Sequence, residues 1–209
     1  MSIPIGLFPI FSFENFILTK ELTEQELIIG LKTKDEAAFR ELVTTRQTLV
    51  FNTILGFLQS HEDAEDVTQD VFIKIYESIS QFKGESALST WVYRVAVTSS
   101  LEFLRRRKRK KRFGFMSPLW GEDNEQNIEL PDFHHPGVVY DKRETASILF
   151  KAIKELPENQ QIAFVLNKVE GLSYQEVSEV MNTSLSAVES LLHRAKTNLK
   201  EILKNFNIL

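Results

Sequence analysis

The chain has 209 residues, 43% hydrophobic and 26% charged, with 8 glycines, 6 prolines and no cysteine. That length suits one ordinary domain or two small ones, and the composition excludes collagen-like, mucin-like, wholly disordered and disulfide-framework chains. The formal net charge of −4 is unevenly placed: residues 1–104 sum to −7, residues 105–112 (RRRKRKKR) to +8, residues 113–155 to −4 and residues 156–209 to −1.

Residues 1–22 read as an N-terminal arm, rich in Phe (8, 11, 13 and 16) and interrupted by Pro4, Gly6 and Pro9. It carries neither a basic stretch nor a small-residue cleavage signal, so it does not read as a signal peptide. No stretch has the length and apolar continuity of a membrane span. With no cysteine, the expected location is a reducing interior, the cytoplasm.

A short helix is expected from Thr23 to Gly30. Asp35 caps a longer one in which Ala38, Phe39, Leu42 and Val43 recur at helical spacing and which runs on to Leu58. Ser60, followed by Asp63, signals another helix start. Its buried stripe is Ala64, Val67, Val71, Phe72, Ile75, Tyr76 and Ile79. A short connection, Gln81 to Ser86, holds Gly84. Ala87–Arg107 reads as a long helix, with the basic block continuing it toward Gly114. Residues 113–140, with Pro118, Pro131, Pro136 and an acidic polar run, read as a linker.

Beyond the linker, Glu144–Glu155 reads as one helix. Leu156-Pro157-Glu158 opens the next, and Gly171 ends it. Ser173, with Glu176 three residues on, caps Tyr174–Met181. Asn182-Thr183 turns the chain into a last helix from Ser184 to about Leu203. Val177 and Val180 face inward from the first of this pair, and Leu185, Val188, Leu191 and Leu192 from the second. The short turn suits a helix-turn-helix, although a plain helical hairpin has the same pattern.

No enzyme motif is present. There is no phosphate-binding glycine loop and no His-Glu-x-x-His pair, and His61, His134, His135 and His193 read as surface residues. Asp63, Glu65, Asp66 and Asp70 lack an oxygen-rich loop to complete a cation site. They read as a solvated helix face or an acidic surface for a basic partner. Neither a metal nor a cofactor is expected. The eight consecutive cations repel one another, and a DNA backbone supplies the counter-charge. Phe82, Lys83, Trp91 and Tyr93 lie near that track, and aromatics beside cations suit unstacked, single-stranded bases.

The runs DAEDVTQDVF (63–72) and FKGESALSTWVYRVA (82–96) resemble the second conserved region of bacterial sigma-70-type factors. Leu156-Pro157-Glu158, VEGLSYQEV (169–177) and LHRAK (192–196) resemble the fourth. The two follow at the spacing of the compact extracytoplasmic-function (ECF) group, which lacks the third region. The resemblance implies an all-α chain of two small helical domains: a region 2 bundle at 23–112 and a region 4 helix-turn-helix domain of three or four helices, homeodomain-like or winged-helix-like, at 141–209. A flexible linker (113–140) joins them.

The implied activity is non-catalytic: binding core RNA polymerase through its beta and beta-prime subunits, recognising and melting a promoter, and starting transcription. The implied polymerase-binding residues are Asp63, Glu65, Asp66, Gln69, Asp70 and Phe72. Implied contacts near the −10 element, duplex and melted strand, are Phe82, Lys83, Gly84, Glu85, Ser86, Trp91 and Arg94, with Arg105, Arg106, Arg107, Lys108, Arg109, Lys110, Lys111 and Arg112 along the backbone. Implied −35 contacts are Ser173, Tyr174, Ser184, Ser186, Ala187, Glu189, Ser190, His193, Arg194 and Lys196. An anti-sigma factor is an implied further partner, without membrane insertion of this chain. Four positions depart from the family pattern: Glu189 and Leu191 stand where lysine and arginine are usual, and Thr98 and Glu102 where asparagine and aspartate are. The alternatives are a polymerase-independent helix-turn-helix regulator and a degenerate, protein-binding sigma homologue.

Overall fold

The computed structural model describes residues 22–114 and 143–205, with the side chains of 111–114 and 143–145 left out. Residues 1–21 of the expected arm and nearly all of the expected linker lie outside the described residues. Every regular element among those described is helical: α1 (Glu24–Lys32), α2 (Glu36–Leu58), α3 (His61–Ser78), a 3-10 turn (Ile79–Gln81), α4 (Leu88–Gly114), α5 (Arg143–Lys154), α6 (Glu158–Phe164), a π-helical stretch (Val165–Val169), α7 (Tyr174–Met181) and α8 (Leu185–Asn205).

Local chemistry sets the boundaries. Thr23 and Ser173 each close a capping box, with Glu26 and Glu176. Asp35 accepts from the Ala37 N–H and Ser60 from the Asp63 N–H. These side chains satisfy amide groups that the first helical turn leaves unpaired. Gln59 and Asn182 end α2 and α7 in the left-handed conformation, and Gly171, at φ 76°, ends the π-helical stretch. Pro157 sits just before α6 rather than inside it.

The first bundle packs α1 to α4 around Leu42, Ile54, Val71, Ile75, Leu88 and Val92, all fully buried. In the second bundle, α5 to α8 pack around Ile153, Leu166, Val177, Val188 and Leu192.

The two bundles are not independent. Phe57 of α2 and Val97 of α4 belong to the second core, and Phe57 is wholly buried there. Gly56 lets α2 approach the π-helical stretch: a Cβ at this position meets Val165 Cγ1 at 3.0 Å and Val169 Cγ1 at 4.0 Å. The Gln59 side-chain amide donates to the Phe150 carbonyl. Reading each region's periodicity separately gives no hint of this docking, because the contacts join residues about a hundred positions apart.

Candidate nucleic-acid interface

Two charged surfaces run side by side on the first bundle. On α3, the spacing that buries Ala64, Val67, Val71 and Phe72 turns Glu65, Asp66, Gln69 and Asp70 outward. Asp66 and Asp70, one helical turn apart, make no ion pair among the described residues. Glu65 faces His61 at 3.3 Å, and Asp63 accepts from Arg107 at 2.8 Å. Phe72 is a core residue, 4% exposed, so among the six expected polymerase contacts it supports the surface from within. Ile73, 46% exposed, adds an apolar spot, and it shares a groove with Asp66, Gln69, Asp70, Arg106, Arg107 and Lys110.

The basic block continues α4 without a break, so the side chains of Arg105 to Lys110 radiate around a helix rather than forming a loose tail. Arg105 to Lys110 are all exposed. Arg105 pairs with Glu158 of α6 and Arg107 with Asp63 of α3. Upstream, Lys74 bridges Glu102 at 2.8 Å and Ser99 at 3.1 Å. The Lys74 hydrogen bond, helped by Arg106 and Arg105, holds the Glu102 carboxyl below the usual carboxylate range. The fold thus already supplies carboxylates to part of the strip, through Glu158 and Asp63. The side chains of Lys111 and Arg112 lie outside the described residues.

The connection before α4 contains both exposed and buried residues. Lys83, Gly84 and Glu85 are exposed, and Gly84 adopts φ 78°, a turn that glycine makes without strain. Phe82 is 4% exposed, its ring centroid 5.6 Å from that of Trp91, with the Lys32 ammonium 5.9 Å from its centre. In this conformation Phe82 is a core residue and offers no open face to a base; Trp91 is half-buried beside it. The Arg94 guanidinium is also committed: its Nε donates to the Glu179 and Val180 carbonyls at 3.1 and 3.3 Å, and Nη2 donates to Glu179 as well.

In the second bundle, α7, the Asn182–Ser184 turn and α8 form the helix-turn-helix. Ser184 caps α8, its Oγ accepting from the Ala187 N–H at 3.2 Å. Ser186, Glu189, Ser190, His193, Arg194 and Lys196 are exposed along α8, and Ala187 is half-buried. Leu185 departs from expectation: it is 44% exposed rather than inward, because it opens the helix before the buried stripe of Val188 and Leu192 begins. Ser173 donates to Glu176 and accepts from its N–H, so its hydroxyl is occupied as a cap. That pairing lowers the Glu176 pKa. Tyr174 is half-buried.

A polar cluster between the bundles had no signal in the sequence. Burial pushes the Glu170 pKa up to about 7, opposed by its Thr53 neighbour. Burial, with Glu170 and Glu176 nearby, pushes Tyr93 up to about 12 against the pull of Arg46. Glu170 Oε1 and Arg46 Nε are both buried without a hydrogen-bond partner. Among the described residues no three His, Cys, Asp or Glu side chains gather as a metal site, and no helix is long and apolar enough to cross a membrane.

Comparison with known proteins agrees with this architecture. Residues 42–110 match the family Sigma-70 region 2, and residues 147–199 match Sigma-70, region 4. The ECF RNA polymerase sigma-E factor of Escherichia coli K12 is 31% identical over 179 residues, 86% of this chain and 93% of that protein. The ECF RNA polymerase sigma-E factor of Haemophilus influenzae is 33% identical over 179 residues, covering 86% and 94%. Among solved structures, CnrH in complex with the cytosolic domain of CnrY superposes with a TM-score of 0.61 at 18% identity, covering 87% of this chain and 97% of that one. The sigma factor RpoE of Bartonella quintana, in complex with the anti-sigma factor NepR, gives 0.56 at 20% identity, covering 79% and 96%. These two similarities establish the fold.

An all-helical chain with a region 2 bundle and a region 4 helix-turn-helix defines a DNA-binding transcription factor. The chain belongs to the ECF group of the sigma-70 family, whose members serve RNA polymerase in promoter recognition and transcription initiation.

Proposed function

We propose that this chain acts as a non-catalytic specificity subunit, in the cytoplasm, through three separate surfaces. The exposed carboxylates of α3, centred on Asp66 and Asp70, dock on a basic face of core RNA polymerase. The Lys83–Ser86 connection and the exposed cations of α4 hold the −10 region, the connection facing the melted strand and the cations the backbone phosphates. The N-terminal end of α8 enters the major groove at the −35 element. There Glu189 accepts from a cytosine amino group, and Arg194 and Lys196 contact phosphate. An anti-sigma factor is the further partner proposed, by analogy with the complex of RpoE with the anti-sigma factor NepR.

The observation that carries this reading is the adjacency of two opposite exposed surfaces on one bundle: unpaired Asp66 and Asp70 on α3, and Lys108 to Lys110 on α4. A polymerase-independent regulator has no use for the first. Run-off transcription with purified core polymerase on genomic fragments tests it. Specific transcripts that require both the chain and core polymerase are expected; a specific footprint without polymerase overturns it.

A further inference from the structure

The connection that leads into α4 is held at both ends by one short helix, α1. At its far end α4 starts on Leu88, and Ala87 stands at the N-cap, its carbonyl accepting from the Trp91 N–H at 3.3 Å. Alanine has no side-chain acceptor to offer the first amides of a helix. Glu24 of α1 supplies one from 64 positions away: its Oε1 accepts from the Leu88 N–H at 2.8 Å. At the near end Phe82 is buried, with the Lys32 ammonium of α1 5.9 Å from its ring centre and the Trp91 ring centre 5.6 Å away. Glu24 and Lys32 open and close α1, about 12 Å apart along its axis at about 1.5 Å per residue. Between the two anchors Lys83, Gly84 and Glu85 are exposed and Ser86 is half-buried.

We propose that Glu24 is a positioning residue for promoter melting: by capping α4 it fixes, with Lys32 at the other end, the span over which the Lys83–Ser86 connection meets the melted strand. What the connection meets rests on the surface assignment above; the anchoring by α1 does not.

The anchor is itself anchored. Thr23 closes a capping box with Glu26, which fixes the turn that carries Glu24. Leu27 and Leu31 are buried in the first core, and Gly30 lets α1 lie against α2: a Cβ at this position meets Ala38 Cβ at 2.6 Å. The turn into α2 ties down α3 as well, since Lys34, at φ 62°, donates to the Tyr76 carbonyl and holds its ammonium 4.1 Å from the Tyr76 ring centre. Glu24 adds charge to geometry. A carboxylate at the start of α4 complements the positive end of the helix dipole, and the first turn of α4 has no acidic residue of its own. A connection already in its binding shape spares the ordering cost that a loose one incurs when it captures an unstacked base. α1 lies outside residues 42–110, the stretch that matches region 2, so the motif of that stretch carries no signal of either anchor.

Glu24 is exposed, so its variants keep the core of the full chain intact. Amide hydrogen exchange of the free chain over residues 82–91 should rise about five- to tenfold in Glu24→Ala, the range of a lost helix cap. Glu24→Gln keeps an oxygen acceptor and should stay within about twofold of wild type. Adding Ala87→Ser to Glu24→Ala gives α4 a local cap and should restore protection. In holoenzyme reconstituted with core polymerase, affinity for a single-stranded oligonucleotide carrying a −10 sequence from the run-off transcripts should fall in the same order, about five- to tenfold in Glu24→Ala. Affinity for core polymerase should not change. Lys83→Glu, inside the connection, should weaken single-strand binding and leave the exchange unchanged. Unchanged exchange in Glu24→Ala overturns the positioning role, and so does raised exchange with single-strand affinity lost in Lys83→Glu alone. Equal loss of core and single-strand affinity in Glu24→Ala overturns it too, because a general loosening of the bundle has that result. Raised exchange in Glu24→Ala, with single-strand affinity intact in both it and Lys83→Glu, leaves the anchor standing and overturns the surface assignment.

Discussion

Arg107 Nη1 lies 2.8 Å from Asp63 Oδ2, so the basic stretch of α4 is tied to the acidic helix of its own region. The same strip reaches Glu158 of region 4 through Arg105. Both pairs are largely exposed, and pairs of this kind contribute about 0–1 kcal/mol each. They stabilise the fold little and exchange readily for a phosphate or a polymerase side chain. The cations of α4 thus fall into two sets: Arg105 and Arg107, which have intramolecular partners, and Lys108, Arg109 and Lys110, for which none is found among the described residues.

This division predicts different salt dependences. Each phosphate contact contributes a slope of about −0.9 to log K against log salt on duplex DNA. Neutralising Lys108, Arg109 and Lys110 to glutamine should flatten the slope by about 0.9 for each phosphate left without its cation. Neutralising Arg105 and Arg107 should flatten it less, since each exchanges a carboxylate for a phosphate. Promoter binding by the reconstituted polymerase, titrated with salt, measures both; equal slopes for the two sets overturn the division.

The acidic face predicts a second separation. Asp66→Lys with Asp70→Lys reverses two unpaired exposed charges and should weaken core polymerase binding about tenfold or more. Asp63→Ala removes a carboxylate already committed to Arg107 and should have a smaller effect. Binding isotherms with core polymerase decide it, and undiminished affinity in the double variant removes α3 as the docking helix.

The capping box at Ser173 predicts a local stability effect. Ser173→Ala leaves the first turn of α7 without its side-chain acceptor and frees Glu176, at a cost of about 1 kcal/mol. The Glu176 pKa is lowered in the folded chain, mainly by its hydrogen bonds with Ser173. Its contribution is therefore present above the usual carboxylate range and is lost as pH falls through the depressed value. Urea unfolding at neutral and at acid pH should show the Ser173→Ala deficit shrinking in acid; a deficit that grows in acid contradicts the box.

Local chemistry made most of the helices legible. Ser60, Asp35, Ser173 and Glu176 act on amides two or three residues away, so spacing alone places the helix starts. The alternation of Ala64, Val67 and Val71 with Glu65, Asp66 and Asp70 likewise places the acidic face. Long-range packing was not legible. Phe82 beside Gly84 has the look of a base-stacking loop, yet its burial depends on Trp91 and Lys32, which local spacing does not bring together. Leu185 fits an inward pattern, but the first residue of a helix precedes the turn that packs. Glu170 reads as an ordinary surface carboxylate until α2 and α4 close over it from the other region.

Glu170 makes the stability of the fold pH-dependent. Thr53 of α2 hydrogen-bonds its carboxyl, and the carboxyl acts on Tyr93 of α4, on which Glu176 of α7 and Arg46 of α2 also act. Burial is the dominant cause and raises its pKa to about 7, above the usual 4.5, so the folded chain binds a proton more tightly than the unfolded one. A group shifted in this direction contributes its full stability at low pH and loses that contribution as pH rises from the usual value through about 7. The shift corresponds to at most about 3 kcal/mol, reduced by residual solvent access. Stability to urea should therefore fall between about pH 5 and 7.5, by up to about 1.4 kcal/mol per pH unit. Glu170→Gln keeps the size and polarity of the side chain but cannot ionise, and it should hold its stability across that range. A wild-type profile that is flat, or that rises with pH, removes Glu170 from the interface energetics; a falling profile retained in Glu170→Gln assigns the proton to another group.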